Sequence, residues 1–358
     1  MNTSQSVFPG DGGYGIVADI GTKCASQPCI LLRGDMDALP IEEATKVSFA
    51  SKHRGNMHAC GHDAHTSMLI GAASVMKYLE GCIPGTVRFM FQPAEEGGAG
   101  AKRMIEEGVL EQEPKPQCAF GMHVWPTLPS GAIAGKSGAL LAACERFELT
   151  VDGVGGHAAM PHLTKDPIVA SSALVMSLQT LISRKLSPLN SGVCSVTMMQ
   201  TGGDAFNVIP ASVKLRGTIR ALSDETLHTL RNAVHEVADS VASAHGCSVT
   251  IQYSPDYYPP TINDPDLWKY SSEVAKGLAK DGKITHVEPT MGAEDFSFIA
   301  QAVPSTFFLL GQGCGTDPVS SYGLHHPSFG LDESVLSQGV ELHVNLALQT
   351  MKRLLDGQ

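Results

Sequence analysis

The sequence predicts an α/β fold into which a small α+β domain of order β-α-β-β-α-β is inserted, and three observations predict it. Between residue 14 and about residue 141, short apolar runs alternate with helix-period segments, the pattern of a sheet with helices on its faces. Between residues 147 and 253 the order changes to strand, helix, two strands, helix, strand, the split βαβ or ferredoxin-like arrangement. After Pro260 the first pattern resumes. Gly-rich and Pro-rich joints at 131–138 and 255–260 flank the middle part. We therefore divide the chain into 1–141, 142–256 and 257–358, the first and last forming one domain.

Each element has a local reason. Residues 14–20 belong to a first hairpin, and 29–32 read as a buried strand entering a polar turn, Arg33-Gly34-Asp35-Met36-Asp37. Along 65–79, Met68, Leu69, Ala72, Val75, Met76 and Leu79 share one helical face. Residues 86–91 alternate Val87, Phe89 and Phe91 and stop short of Pro93, which makes them a strand. A short helix over 101–107 stops at Gly108, and a strand over 118–123 is closed by Pro126. In the middle part, 147–151, 193–199, 212–219 and 248–253 read as strands. Residues 166–183 and 224–244 read as helices, the second capped by Ser223. The last part adds a helix over 267–280, a buried strand over 306–310 and a closing helix over 333–355.

Composition bounds the function. The 358 residues, 43% hydrophobic and 17% charged, suit about two globular domains at roughly 150 residues each. A net charge of −11 disfavours nucleic acid and anionic membrane as partners. No apolar run approaches the ~18 residues of a membrane span. Residues 1–9 lack the basic-then-apolar pattern of a secretory leader, so a cytoplasmic location is expected. Nine cysteines, an odd number without framework spacing, point to reduced thiols. Cys24, Cys29, Cys82, Cys118, Cys144, Cys194, Cys247 and Cys314 read as ordinary buried or surface thiols; Cys60 is the exception.

Chemistry gathers where strands of the larger domain end. Cys60-Gly61-His62-Asp63 opens a helix, Glu95-Glu96 follows the strand ending at Phe91, and His123 ends the next strand. Ligands of open α/β sheets bind beyond the carboxyl ends of the strands, so these positions should converge. Thiolate, imidazole and carboxylate together suit zinc, manganese or cobalt and not magnesium or calcium. Beside two dications the Cys60 thiol should lose its proton and bridge them. Of the neighbours Glu95 and Glu96, one can bind metal while the other serves as base toward water. A solvated Glu-Glu pair is the ordinary alternative, which the following Gly97-Gly98-Ala99-Gly100 disfavours. His325-His326-Pro327 offers late imidazoles. His157, at the glycine turn Val154-Gly155-Gly156, suits transition-state contact or plain loop structure, and His162 follows it.

These segments resemble a known family. Arg33-Gly34-Asp35-Met36-Asp37-Ala38-Leu39-Pro40, His58-Ala59-Cys60-Gly61-His62-Asp63 and Gln92-Pro93-Ala94-Glu95-Glu96-Gly97 carry the likeness in the first part. Gly156-His157-Ala158-Ala159-Met160-Pro161-His162, Asn207-Val208-Ile209-Pro210 and Gly292-Ala293-Glu294-Asp295-Phe296 continue it in order. Together they are similar to the amidohydrolase branch of the aminoacylase/carboxypeptidase metallopeptidases, which includes hippurate hydrolases and plant auxin–amino acid conjugate hydrolases. The resemblance implies a dinuclear-metal exopeptidase-like catalytic domain with two divalent ions, manganese or zinc with cobalt as a further fit. It implies Cys60, His62, Glu96, His123 and His325 as metal ligands, Cys60 the bridge, with His325 favoured over His326 by its spacing to proline. Glu95 matches the general base and Asp37 the carboxylate that orients the centre. His157 and Asn207 match residues that approach the scissile carbonyl, and the inserted domain matches a lid and homodimerisation module. The family's usual first helix is absent before residue 14, which would leave one sheet face less covered.

The expected activity is hydrolysis of an N-acyl amino acid, such as an indoleacetyl-, benzoyl- or acetyl-amino acid, to a carboxylic acid and a free amino acid. Arg216 and Arg220, on and just beyond the 212–219 strand, are candidates for holding the substrate carboxylate, or ordinary edge-strand charges. Two rivals are a dipeptidase or carboxypeptidase on the same site, and a shortened homologue without activity.

Overall fold

Apolar runs become strands in the computed structural model, which describes residues 2–7, 14–255, 257–313 and 322–357. In chain order the first strands are β1 (Asn2–Val7), β2 (Tyr14–Gly21), β3 (Cys29–Asp35), β4 (Thr86–Gln92), β5 (Cys118–Trp125), β6 (Ile133–Gly135) and β7 (Gly138–Leu141). Then come β8 (Ala143–Asp152), β9 (Gly156–His157), β10 (Gly192–Thr201), β11 (Val208–Ile209), β12 (Ser212–Ala221) and β13 (Ser248–Tyr253). The last are β14 (Thr261–Asn263), β15 (Ile284–His286) and β16 (Ser305–Gly311). The helices are α1 (His62–Tyr78), α2 (Gly100–Glu106), α3 (Pro167–Leu178), α4 (Asp224–Ala244), α5 (Pro265–Lys276), α6 (Phe296–Ala302) and α7 (Leu336–Leu355). No helix among the described residues is long and apolar enough to cross a membrane. Cys314 and residue 256, at the expected domain boundary, lie outside the described residues.

Two compact units result, Met1–Leu140 with Thr261–Glu288 and Asp295–Gln358, and Leu141–Pro260 with Pro289–Glu294. The first is built on an eight-stranded sheet in the order β1-β2-β4-β3-β5-β16-β6-β15. Within it β4, β3, β5 and β16 are mutually parallel, so their carboxyl ends share one edge. Alternation along β16 shows how both faces are covered: Phe308 packs on Trp268 of α5, while Phe307 turns the other way onto Phe296 of α6. The first face is the larger core, where Met68, Leu69 and Met76 of α1 and Leu342, Leu346 and Met351 of α7 close over Ile30, Leu32, Phe89 and Phe120. Each such side chain contributes roughly 1.5–3 kcal/mol by leaving water, and Phe120→Ala would cost about 3–5 kcal/mol.

One expected element is corrected. The buried strand does not give way to a turn after Leu32; β3 runs on through Arg33, Gly34 and Asp35, all buried. Charged residues can continue a buried strand here because they are paired: Arg33 Nη1 donates to Asp35 Oδ2 at 3.0 Å. At the other end of the same sheet Arg88 of β4 is also fully buried. It donates to both carboxylate oxygens of Asp19 on β2, at 2.9 and 3.0 Å, and to the carbonyls of Val109 and Gln112.

The second unit carries an antiparallel sheet in the order β10-β12-β8-β13. Its inward residues, among them Phe147, Leu149, Val151, Val213, Leu215 and Ile219, meet Leu174 of α3 and Leu230 and Val234 of α4. Asp166 caps α3 by accepting from Ile168 N at 2.9 Å, and Ser223 caps α4 by accepting from Thr226 N at 3.2 Å. The α3 helix ends at Leu178, earlier than its apolar pattern suggests, and a wider turn over Leu181–Lys185 follows. β12 reaches Ala221 and lies inside the sheet, so Arg216 and Arg220 both sit on an interior strand and are not edge-strand charges.

Candidate metal centre

The shared carboxyl edge of β3, β4 and β5 positions most of the candidate side chains. Asp35 ends β3, and Asp37 follows it; Glu95 and Glu96 come three and four residues after β4; His123 stands near the end of β5. Cys60 and His62 come from the start of α1, around Gly61 at φ 82°. That left-handed turn needs glycine twice over, because a Cβ there would also sit 2.4 Å from Val124 Cγ2. Two residues without that freedom take positive φ at the same place, Ala94 at 59° and His325 at 65°. Such strain persists only where surrounding contacts over-determine it. For His325 one of these contacts is its own N–H, which donates to the carbonyl of Ala59 at 2.7 Å.

These elements bring the potential ligands together. Cys60, His62 and His123 present ligand atoms within 4.8 Å of one another, as do Cys60, Glu96 and His325, and His62, Glu95 and Glu96. Cys60 Sγ lies 3.5 Å from His123 Nε2, and His325 Nε2 lies 3.1 Å from Glu96 Oε1. His123 Nδ1 is 2.6 Å from the carbonyl of Val124, which can only accept, so its proton sits on Nδ1 and the Nε2 lone pair faces Cys60. Asp37 fixes the glutamate pair through the backbone, its Oδ1 accepting from Glu95 N at 3.1 Å and its Oδ2 from Glu96 N at 2.9 Å.

The donor set fits a dication on two counts. His62 is 1% exposed, yet both its ring nitrogens lack a hydrogen bond among the described residues, 3.5 Å from Asp35 Oδ2 and Asp37 Oδ1. An imidazole so buried is costly unless something else takes its lone pair. The second count is charge. Burial, and after it the carboxylates of Glu96, Glu95 and Asp35, push the Cys60 thiol far above its ordinary value. A thiolate in that position needs positive charge beside it. Burial opposes charge on His62, but Asp35, Asp37 and Glu96 outweigh it and raise its pKa to about 9. For His325, Glu96 acts in the same direction against partial burial.

Beneath the ligands lies a buried layer that motif reading did not single out. Burial works against the charge of Asp35, yet Arg33, His62 and His65 hold its carboxyl well below the usual range. His65 Nε2 accepts from Val124 N at 2.9 Å, so Nδ1 carries the proton and donates to Asp35 Oδ1 at 2.6 Å. Burial keeps that imidazole neutral. Arg33 in turn reaches Asp295 and Gln92. Arg33, Asp35, Gln92 and Asp295 stand in the segments that carry the family likeness, without a role assigned there, and the clue to His65 was spacing: His62 and His65 are three apart on a helix, so they share a face.

The remaining candidates have other surroundings. His326 stacks on Tyr322 at 4.2 Å and accepts from Ser328 N, apart from the cluster that holds His325. In the second unit, His157 pairs with Val208 across β9 and β11, and Ala158 N donates to the Asn207 carbonyl at 3.0 Å, so the segments bearing His157 and Asn207 run next to each other. His162 sits on an exposed turn, Pro161–Leu163. Arg216 Nε donates to Glu148 Oε2 at 2.7 Å beside Lys214, and Arg220 Nη1 donates to the Met291 carbonyl at 2.7 Å. The eight cysteines among the described residues are free thiols.

Comparison with known proteins agrees with this chemistry. Residues 31–349 match the model of peptidase family M20/M25/M40. The chain is 41% identical to IAA-amino acid hydrolase ILR1-like 2 of Arabidopsis thaliana over 94% of its length and 75% of that protein's. It is 38% identical to N-acetylcysteine deacetylase of Bacillus subtilis, over 94% of its length and 86% of that protein's. A solved structure of Bacillus subtilis YXEP protein, described as a dinuclear metal binding peptidase, superposes with a TM-score of 0.79 at 33% identity, covering 98% of this chain and 88% of that one.

Proposed function

The chain belongs to peptidase family M20/M25/M40, and from that premise we propose that it hydrolyses N-acyl amino acids to a carboxylic acid and a free amino acid. It is a metal-dependent hydrolase of amide bonds. The observation that carries the reading is the convergence of Cys60, His62, Glu96, His123 and His325 around a second, adjacent carboxylate, Glu95. Those five side chains would hold two divalent ions, manganese, zinc or cobalt, which when bound polarise an amide carbonyl and lower the pKa of water.

Glu95 is 6% exposed and its backbone is held by Asp37, so its carboxylate is kept in place beside the ligands. In the proposed reaction Glu95 accepts a proton from the attacking water and returns it to the departing amine as the C–N bond breaks. Asp37 does not exchange protons; it orients Glu95, Glu96 and His62. We assign His157 and Asn207 to contact with the reacting carbonyl, as polar residues on two segments that pair through the backbone. Arg220 is the better candidate for the substrate carboxylate, because the charge of Arg216 is matched by Glu148 whereas Arg220 donates to a neutral carbonyl, that of Met291. The second unit, with its β-α-β-β-α-β order, serves in this proposal as a ferredoxin-like lid and the contact surface of a homodimer.

The test is turnover, followed by mass spectrometry, of acetyl-, benzoyl- and indoleacetyl-amino acids beside a dipeptide panel, with each metal added separately. Release of the free amino acid by wild type and not by Glu95→Ala supports the proposal. Equal rates for the two proteins, or cleavage of dipeptides alone, would sink it.

A further inference from the structure

Asp295 is fully buried and sits at the start of α6, in the part of the chain made after the second unit. Its two oxygens gather four short contacts. Oδ1 accepts from Arg33 Nη2 and Gln92 Nε2, each at 2.8 Å, and Oδ2 accepts from Gln92 Nε2 at 2.8 Å and Ala101 N at 2.9 Å. Gln92 Oε1 closes the ring by accepting from Arg33 Nε at 2.8 Å. Arg33 then hands its Nη1 to Asp35 Oδ2 at 3.0 Å. One guanidinium is thus clamped between two carboxylates, with no water-facing atom to relax into.

The partners in this ring lead to two parts of the candidate metal centre. Gln92 is the last residue of β4, three before Glu95. Asp35 ends β3, two residues before Asp37, and touches both His62 and His65. Ala101 is in the first turn of α2, which follows the turn that carries Glu95 and Glu96. Its contacts join β3, β4 and α2, the elements that flank Asp37 and the Glu95–Glu96 turn. Its charge also counts. Two carboxylates share one guanidinium, which leaves a negative balance next to the imidazoles, the sign that favours a cation there.

We propose that Asp295 is a positioning residue for the metal centre, acting through Arg33 on Asp35 and His62 and through Gln92 on the segment bearing Glu95 and Glu96. The inference rests on the metal-centre reading above and deepens it. Outer partners of metal sites typically change affinity or activity by about 10–100-fold.

The test uses full-length Asp295→Asn, which keeps size and removes charge, and Arg33→Lys, which keeps charge and loses the planar fork. Affinity for manganese(II) and zinc(II) is measured by chelator competition, kcat and KM on an N-acyl amino acid, and melting on the metal-free proteins. Asp19→Asn, which breaks the other buried arginine pair, is the control for a merely structural effect. The expected result is a loss of about 10–100-fold in metal affinity and kcat for both site variants, with KM changed little. Asp19→Asn should lower melting alone. If Asp295→Asn fails to fold, Arg33→Lys carries the same readouts. Wild-type affinity for metal in both variants overturns the inference while leaving the metal centre intact. A wild-type protein that binds neither ion overturns the metal centre and the inference with it.

Discussion

Two arginines buried on neighbouring strands of one sheet do different work. Arg88, toward the amino end of β4, is matched by a single carboxylate and two carbonyls. Its charge is cancelled and its donors are spent inside the fold. Arg33, toward the carboxyl end of β3, lies between Asp35 and Asp295 and leaves negative charge unspent beside His62 and Cys60. A neutral buried pair gives stability or little else; an unbalanced one gives a place for a cation. Burial alone therefore does not distinguish scaffold from site, whereas charge balance does.

The largest effect that would sharpen this contrast is chemical. Glu95→Gln should lower kcat by about 10²–10⁴-fold while metal content and melting stay as in wild type, seen by steady-state kinetics beside metal analysis. Retained turnover would place the base elsewhere. At the other end of the sheet, Asp19→Ala strips Arg88 of its partner and should cost about 3–5 kcal/mol in denaturant unfolding, with turnover per folded molecule unchanged. A fall in kcat there would erase the contrast. Between these, Asp37→Ala frees the Glu95 and Glu96 backbone and should weaken metal binding by about 10–100-fold in chelator competition.

The smallest effect is a pH dependence. His343 of α7 is fully buried, and burial, aided by nearby His65, pushes its pKa down to about 3. The unfolded chain therefore binds a proton that the folded chain refuses. The stability this group leaves intact at neutral pH is lost as pH falls below its ordinary value of about 6.5 and on toward 3. Between about pH 7.5 and about pH 5.5 the contribution is about 1.4 kcal/mol. His343→Leu should flatten that acid limb in unfolding titrations; an unchanged slope would show that His343 accepts the proton when folded.

The legible part of the molecule was the part written in local pattern. Val87, Phe89 and Phe91 announce β4, Ser223 announces α4, and the ligands stand in compact motifs at strand ends. The short strands were illegible: β6, β14 and β15 have three residues each, too few for a period to show. β1 was missed for another reason, since Asn2–Val7 is mostly polar and is a strand through its pairing with β2. The buried layer under the centre was hidden by distance. Arg33 reads as a turn residue until its partner 262 positions away is known, and Gln92 meets Asp295 across 203. Arg216, by contrast, was chosen for its chemistry, and no local pattern could reveal that Glu148 is its register partner on the adjacent strand β8.

The order of the central sheet also sets a timetable for synthesis. β16 lies between β5 and β6, yet residues 305–311 leave the ribosome only after the whole second unit has been made. At roughly 5–20 residues per second, the edge of β5 that carries His123 waits on the order of ten to forty seconds for its neighbour. During that interval a nascent chain shows an unpaired apolar strand next to cysteine and histidine. Pairing with β16 then turns that open edge into an interior strand beside the candidate centre.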